Sequence, residues 1–278
     1  MQSGFYTVAG GMVTQFNRLD MISENLANVN TDGFKRRDAI IGDFMRIYQK
    51  RRDELPLANQ TKEAAKFLNR SINRVPRLVE KYTDFQMGPM MKTGNPLDVA
   101  LGEKNLFFAV ETPGGIRLTR NGAFLLDDKG RLVTKEGYKV LSKSYFQNHR
   151  AITIPENALK ISISKGGRIE YLDQTAMESP IYVDDLMVVR VDDLQSLAPE
   201  ADNYFKMPGK KMEQEMNIVT DTDGVHQFML EKSNVNPVRQ MTALIETNRL
   251  VEMYQKAMDA QMNEMNQEAV NKLASLRA

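Results

Sequence analysis

Residues 237–276 read PVRQMTALIETNRLVEMYQKAMDAQMNEMNQEAVNKLASL, and their spacing decides what the end of this chain must be. Apolar residues fall at Met241, Leu244, Val251, Met258, Met262, Met265, Ala269 and Leu276, with Asn248, Gln255 and Lys272 at the positions between them. The steps alternate between three and four, the a/d seam of a helix that packs lengthwise on another. Neither Pro nor Gly follows Pro237, so the spacing predicts one helix running nearly to Ala278. At about 1.5 Å per residue it would reach roughly 55–60 Å.

The other end of the chain carries a matching seam. Phe5, Val8, Met12, Leu19, Ile22 and Leu26 keep the same alternation, Gln15 fills the one polar position, and Val13 and Phe16 widen the stripe. Such stripes serve either of two arrangements. They can pack into a core of their own, as amphipathic helices usually do, or they can pack against helices of other subunits. Three features favour the second. Both seams run close to the chain ends, where ordinary domains fray. The C-terminal seam is rich in Met, which adapts to non-identical neighbours. Asn248 and Gln255 weaken a seam while fixing its register. Leu250 and Met253 also lie off the stripe, so two helices alone would leave apolar surface uncovered.

Between the helices the pattern changes. Asn28 can end the first helix, and Asp32-Gly33 offers a tight turn with positive φ. From about Arg77 to Glu231, short β-rich runs alternate with turn residues: 97–101, 106–111, 116–120, 123–126, 131–134 and 138–141, then 151–154, 160–164, 168–172 and 187–191. Pro113-Gly114-Gly115, Asn121-Gly122, Asp127-Asp128-Lys129-Gly130 and Glu136-Gly137 supply the turns, and Asn121-Gly122 and Asp127–Gly130 read as hairpin signals. The expected fold class is therefore α+β, a coiled-coil-like helical domain from both termini with a central antiparallel β-rich meander. The expected boundaries are 1–35 and 231–278 for the helical domain, 36–76 for a partly helical connector, and 77–230 for the β-rich domain.

Composition narrows the chemistry. The 278 residues are 42% hydrophobic, and 37 basic against 36 acidic residues leave a net charge of +1. That balance gives no support to a nucleic-acid or anionic-lipid partner. With no cysteine there are no disulfides, thiolate sites or thiol nucleophiles, and only His149 and His226 could supply imidazole. The longest apolar runs are too short to span a bilayer, and the first residues lack the layout of a cleaved secretory signal. Asp221-Thr222-Asp223-Gly224 places its glycine too early for a calcium loop. The pairs Asp184-Asp185 and Asp192-Asp193 read as solvated strand ends, because adjacent strand residues face opposite ways. Lys35-Arg36-Arg37 reads as a solvated basic face. No constellation supports an enzyme, a cofactor, a metal site or a small-molecule substrate.

Four segments together resemble one family. Asn25-Leu26-Ala27-Asn28-Val29-Asn30-Thr31-Asp32-Gly33-Phe34-Lys35 looks like the N-terminal signature of flagellar rod and hook proteins. Thr93-Gly94-Asn95-Pro96-Leu97-Asp98 and the residues to Leu101, with Leu118 to Phe124, resemble the start of that family's β domain, and Gly130 to Leu141 continue the likeness. Leu230-Glu231-Lys232-Ser233-Asn234-Val235-Asn236 resembles the opening of its C-terminal helix. The resemblance implies a structural subunit of the bacterial flagellar rod, most like the proximal (FlgF) type, with the distal (FlgG) type as the alternative. A soluble module holding an anionic ligand through Lys35-Arg36-Arg37 is the alternative from another class. On the family reading the subunit polymerises through its terminal helices, transmits torque, and meets other copies of itself and other rod proteins. It would pass through the flagellar type III exporter into the periplasmic rod without a cleaved signal, with no membrane insertion and no nucleic acid. The expected assembly positions are Phe5, Val8, Met12, Phe16, Leu19, Ile22, Leu26, Met241, Leu244, Asn248, Val251, Met258, Met262 and Met265. The motif positions are Asn28, Thr31, Gly33, Phe34, Gly94, Pro96, Leu97, Asp98, Asn234, Val235 and Asn236.

Overall fold

A computed structural model describes residues 2–43, 76–173, 179–207, 217–219 and 223–275. The fold class is α+β. Among the described residues are three α-helices, α1 (Gln2–Ala27), α2 (Tyr145–Asn148) and α3 (Pro237–Ser275). The chain forms two compact units. One comprises Met1–Ala27, Arg37–Tyr82 and Asn236–Ala278; the other comprises Asn28–Arg36 and Thr83–Val235. Residues 28–35 and 231–235, grouped with the helices in the sequence reading, thus cluster with the β-rich unit, as does Arg36.

In the helical unit, α3 starts where its sequence supplies a cap. Asn236 Oδ1 accepts the Arg239 amide at 3.1 Å, and Pro237, which has no N–H to lose, takes the first helical position. The two long helices meet along a line rotated from the expected seam. On α1 the buried residues are Gly11, Thr14, Gln15, Met21, Ile22 and Asn25. On α3 the line runs Gln240, Leu244, Thr247, Val251, Tyr254, Met258 and Gln261, all buried or half-buried. Its steps of three and four are those of the expected seam, but alternate positions slip by one residue. Thr247 replaces Asn248, and Gln261 replaces Met262. Gly11 lies against the Tyr254 ring, which would have to shift to admit a Cβ 2.6 Å away. The unit also holds a two-stranded sheet of β1 (Arg37–Asp43) and β2 (Pro76–Thr83, its last residue in the other unit). The sequence left both strands inside the 36–76 connector or at its border. The connector, expected to be partly helical, begins as strand through residue 43, and residues 44–75 lie outside the described residues.

The β-rich unit is built on a central sheet. Its strands in chain order are β3 (Met90–Lys92), β4 (Val99–Leu101), β5 (Leu106–Thr112), β6 (Gly115–Thr119), β7 (Leu125–Leu126), β8 (Leu132–Val133), β9 (Lys139–Val140), β10 (Ala158–Ile163), β11 (Arg168–Asp173), β12 (Ile181–Asp185), β13 (Val188–Arg190), β14 (Ala198–Pro199), β15 (Tyr204–Lys206), β16 (Asn217–Ile218), β17 (Val225–Gln227) and β18 (Met229–Glu231). The largest sheet runs β14-β15-β6-β5-β9-β8-β7, with β13 beside β5 and β16 beside β13. This corrects the expected meander. The strand β15 returns to flank β6, and β13 pairs with β5 from about eighty residues later in the chain. The reason is visible in β5, whose Leu106–Val110 are fully buried. A strand buried on both faces must be covered by distant chain.

Three of the four expected turns form. Pro113-Gly114 joins β5 to β6, Asp127–Gly130 joins β7 to β8, and Glu136-Gly137 lies between β8 and β9. Asn121-Gly122 is not a hairpin. Gly122 instead lies against Val99, whose carbonyl oxygen would be 1.7 Å from an added Cβ, and Asp98 bridges Ala123 across it. The run 151–154 makes only isolated bridges at Ala151 and Thr153. Asp184 and Asp185 are half-buried, and Asp184 accepts the Ser144 hydroxyl at 3.0 Å, so they are not solvated ends. Two apolar clusters fill the unit. One gathers Val99, Phe108, Val110, Phe124 and Ile152; the other gathers Phe85, Phe107, Leu118, Val189 and Phe205.

Candidate assembly interface

Pairing of α1 with α3 leaves specific faces of both helices open in the chain. Val238, Met241 and Ile245, at steps of three and four, are 71%, 56% and 55% exposed. They lie on the side of α3 away from Thr247 and Val251, since positions three and four apart share a helix face. Val13 and Phe16 form a second uncovered pair on α1. Of the expected assembly positions, Phe16, Met241, Asn248, Met262 and Met265 are exposed, while Ile22 and Val251 are buried. Phe5, Val8, Met12, Leu19, Leu26, Leu244 and Met258 are half-buried.

At the end of α1 the Asn25 amide makes both hydrogen bonds of a strand pair with one backbone residue. Its Nδ2 donates to the Arg37 carbonyl at 2.7 Å, and its Oδ1 accepts the Arg37 amide at 2.9 Å. The Arg37 guanidinium donates to Glu24. The start of β1 is thereby fixed against the helix, in a unit where backbone pairing alone is short.

The family-like segments converge on a second constellation, inside the β-rich unit. Glu231, the last residue of β18, is fully buried. Its Oε1 accepts Lys35 Nζ at 2.6 Å and the Gly88 amide at 2.9 Å. Its Oε2 accepts Arg120 Nε at 2.8 Å and Nη2 at 2.5 Å. The rest of the Arg120 guanidinium donates to the carbonyls of Leu101, Glu103 and Leu106. Around this hub the flanking residues interlock. The Gly33 amide donates to the Glu231 carbonyl at 2.7 Å, Lys232 reaches Asp32 at 2.6 Å, and the Arg36 amide donates to Asn234 Oδ1 at 2.7 Å. Asn234 Nδ2 donates to the Asp84 and Gln86 carbonyls. Gly33 needs its positive φ of 69° and its missing Cβ, which would fall 2.5 Å from the Arg120 backbone.

The remaining motif positions serve this region or the loop before β4. Thr31 Oγ1 donates to Asn28 Oδ1, Phe34 and Val235 are buried, and Asp98 accepts the Asn95 side chain at 3.0 Å. Pro96 gives its carbonyl to Gln227, Leu97 packs on the first apolar cluster, and Gly94 holds an exposed positive-φ position.

This overturns the solvated reading of Lys35-Arg36-Arg37. Lys35 is bound by Glu231, Arg36 by Asp84 at 3.0 Å, and Arg37 by Glu24. Burial pulls the Lys35 ammonium down to about 8, against the attraction of Glu231. Burial alone would push Glu231 up, but Arg120 and then Lys35 hold its carboxyl below the usual range. The sequence reading missed Arg120 and Glu231 as partners. Alternation offered one signal, since Arg120 stands two residues after the buried Leu118 and so falls on its face.

Comparison with known proteins shows the same order of segments. Residues 5–35 match the flagella basal body rod protein model, 104–171 the flagellar hook protein FlgE/F/G D1 domain, and 226–273 the flagellar basal body rod FlgEFG protein C-terminal model. A flagellar basal-body rod protein FlgF of Caulobacter vibrioides is 32% identical over 99% of this chain and all of its own length. The chain belongs to the flagellar basal-body rod protein family. FlgG rod proteins of Borreliella burgdorferi (30% identical, 95% of this chain, 96% of that protein) and of Buchnera aphidicola from Schizaphis graminum (29%, 90% and 92%) lie close behind. The three family matches carry both helix ends and much of the β-rich unit, and they include Lys35, Arg120 and Glu231 at the hub. No helix among the described residues is long and apolar enough to cross a membrane.

Proposed function

We propose that this chain is a structural subunit of the flagellar rod that polymerises through the faces α1 and α3 leave open. The observation that carries this is the uncovered stripe Val238, Met241 and Ile245; further along α3 the expected seam positions Met262 and Met265 are exposed as well. Large apolar side chains in an ordered row on a helix call for a neighbouring surface. On this reading the helices of successive subunits pack in a coiled-coil-like manner, and their lateral contacts carry torque along the axle. The partners are other copies of this chain and other rod proteins. Passage through the type III exporter and residence in the periplasmic rod belong to the same proposal. Proximal placement, as in FlgF, is preferred over distal placement because the FlgF relative spans both chains end to end. The alternative of an anionic-ligand module loses its binding cluster, since each of Lys35, Arg36 and Arg37 is already paired with a carboxylate.

Ile245→Asp tests the interface. Ile245 is exposed in the single chain, so the substitution should shift stability by less than about 0.5 kcal/mol while abolishing rod incorporation and motility. Leu159→Asp, at an exposed apolar residue of β10, serves as the comparison and should incorporate normally. Normal rods from the Ile245 variant would sink the proposed face.

A further inference from the structure

The buried hub of the β-rich unit holds two cations and one anion, contributed by three parts of the chain. Lys35 comes from the strap 28–36, Arg120 follows β6, and Glu231 closes β18. Removing the strap and removing Glu231 leave very different remainders. If residues 28–36 lift away, Lys35 goes with them. Glu231 then keeps the Gly88 amide on Oε1 and two Arg120 donors on Oε2. Arg120 keeps its three carbonyls. What stays behind is an electrically neutral, hydrogen-bonded pair. If residues 231–235 lift away instead, Lys35 retains only the Gln86 carbonyl, and Arg120 only its carbonyls. Two cations then share a dry site with no anion. Asp84, the next carboxylate, already binds Arg36. Breaking a buried pair by removing one partner is far costlier than leaving a satisfied pair in place.

We propose that this hub makes the β-rich unit open in one direction. The strap 28–36 detaches first and reversibly, while 231–235 stays closed on Arg120 and Gly88. Lys35 is the pin, buried at a desolvation cost that its departure relieves, and Glu231 with Arg120 is the fixed half. The strap's other ties to the fixed half are the Gly33 amide on the Glu231 carbonyl, Asp32 with Lys232, and the Arg36 amide on Asn234. These lie along one short segment and can be lost in sequence. Both segments also reach elsewhere: the strap through the Arg36 carbonyl and guanidinium to Asp84, Lys35 to the Gln86 carbonyl and the Asp32 carbonyl to Asn203, and 231–235 through the Gly88 amide on Glu231 Oε1, the Lys232 amide on the Pro89 carbonyl, and Asn234 on Asp84 and Gln86. What separates the two is the charge each leaves behind.

Native-state amide exchange on the full chain reads both halves without any substitution. The Gly33 and Arg36 amides report on the strap; the Gly88 and Lys232 amides report on the fixed half. Gly33 and Arg36 should exchange at least tenfold faster, relative to their intrinsic rates, than Gly88 and Lys232. Equal protection, or faster exchange at Gly88 and Lys232, would overturn the proposal. Lys35→Met then asks whether charge is the cause. It removes the buried cation but leaves the Glu231–Arg120 pair complete, so the gap should shrink to within about threefold. A gap that persists unchanged in Lys35→Met would also overturn it.

Discussion

The helical unit and the β-rich unit use their side chains in opposite ways. In the β-rich unit Phe107, Phe108, Val110, Leu118 and Val140 are fully buried, and Phe108 meets Phe124 edge to face at 5.1 Å. In the helical unit the line between α1 and α3 includes Thr14, Gln15, Asn25, Thr247 and Gln261, while Val238, Met241 and Ile245 face outward. Burying an apolar side chain is worth roughly 1.5–3 kcal/mol, so one unit takes that gain inside the chain and the other withholds it. On the proposed assembly face, stability of the fold and capacity for assembly would be separated. A subunit that must stay single before it polymerises benefits from weak helix pairing and a firm β core.

Matched truncations in the two units should show this contrast most strongly. Phe108→Ala should cost about 3–5 kcal/mol, because it opens a cavity among rigidly packed neighbours. The reading is the denaturant midpoint of the β-rich unit. Leu244→Ala, at a half-buried position of α3, should cost on the order of 1 kcal/mol in the isolated chain. Equal losses would mean that the helix pair is as firmly packed as the β core, and the comparison would fail.

Much of this division was legible beforehand. The three-and-four spacing located both long helices, and the Gly-rich turns located the hairpins around β5 to β9. What could not be read was which face of each helix the chain keeps for itself. Gln240, Thr247 and Gln261 are polar and gave no apolar signal, yet they share the inner line of α3 with Tyr254, whose ring lies against Gly11. Single-chain pairing chose closeness of approach over apolar area. The hub was hidden for a different reason. Lys35, Arg120 and Glu231 are separated by up to 196 residues, and each sits among polar neighbours that make a solvated reading natural. Long-range pairing of charges has no local periodicity. The short strands β14 to β16 escaped for the same reason, since they are defined by distant partners and not by their own patterns.

The buried lysine sharpens the contrast through pH. Folding lowers Lys35 from its ordinary value near 10.5 to about 8. Between those values the unfolded chain binds a proton that the folded chain has released, so stability rises with pH across this window. The penalty of burying the ammonium is fully present below pH 8 and relieved toward 10.5. The full span corresponds to on the order of 3 kcal/mol. Tyr204, raised by burial and by its hydrogen bond to Glu136, works in reverse above pH 10, so the measurement belongs between 8 and 10. Chemical denaturation in steps across that range should show a rising midpoint that is absent in Lys35→Met. The helical unit has no buried ionised hub among the described residues and should show no such rise. A flat profile for the β-rich unit would mean that Lys35 keeps water at its ammonium.

The smallest effect expected is also the one that bears most directly on why the helix pair is weak. Gln15 Oε1 and Gln261 Oε1 are buried without a hydrogen-bond partner. A buried acceptor left unpaired costs about 1–3 kcal/mol, while an apolar group of similar shape is nearly neutral or stabilising. Gln15→Leu and Gln261→Leu should therefore each strengthen the pairing of α1 with α3 by about 1 kcal/mol. Amide exchange along both helices of the isolated chain should slow accordingly, with the β-rich unit unchanged. The same substitutions should not help assembly, because they lie on the inner line and not on the Val238–Ile245 face. If protection of the helices stays the same, the two glutamines are satisfied by solvent. The weakness of the pair would then come from the helices' polar spacing as a whole and not from these two positions.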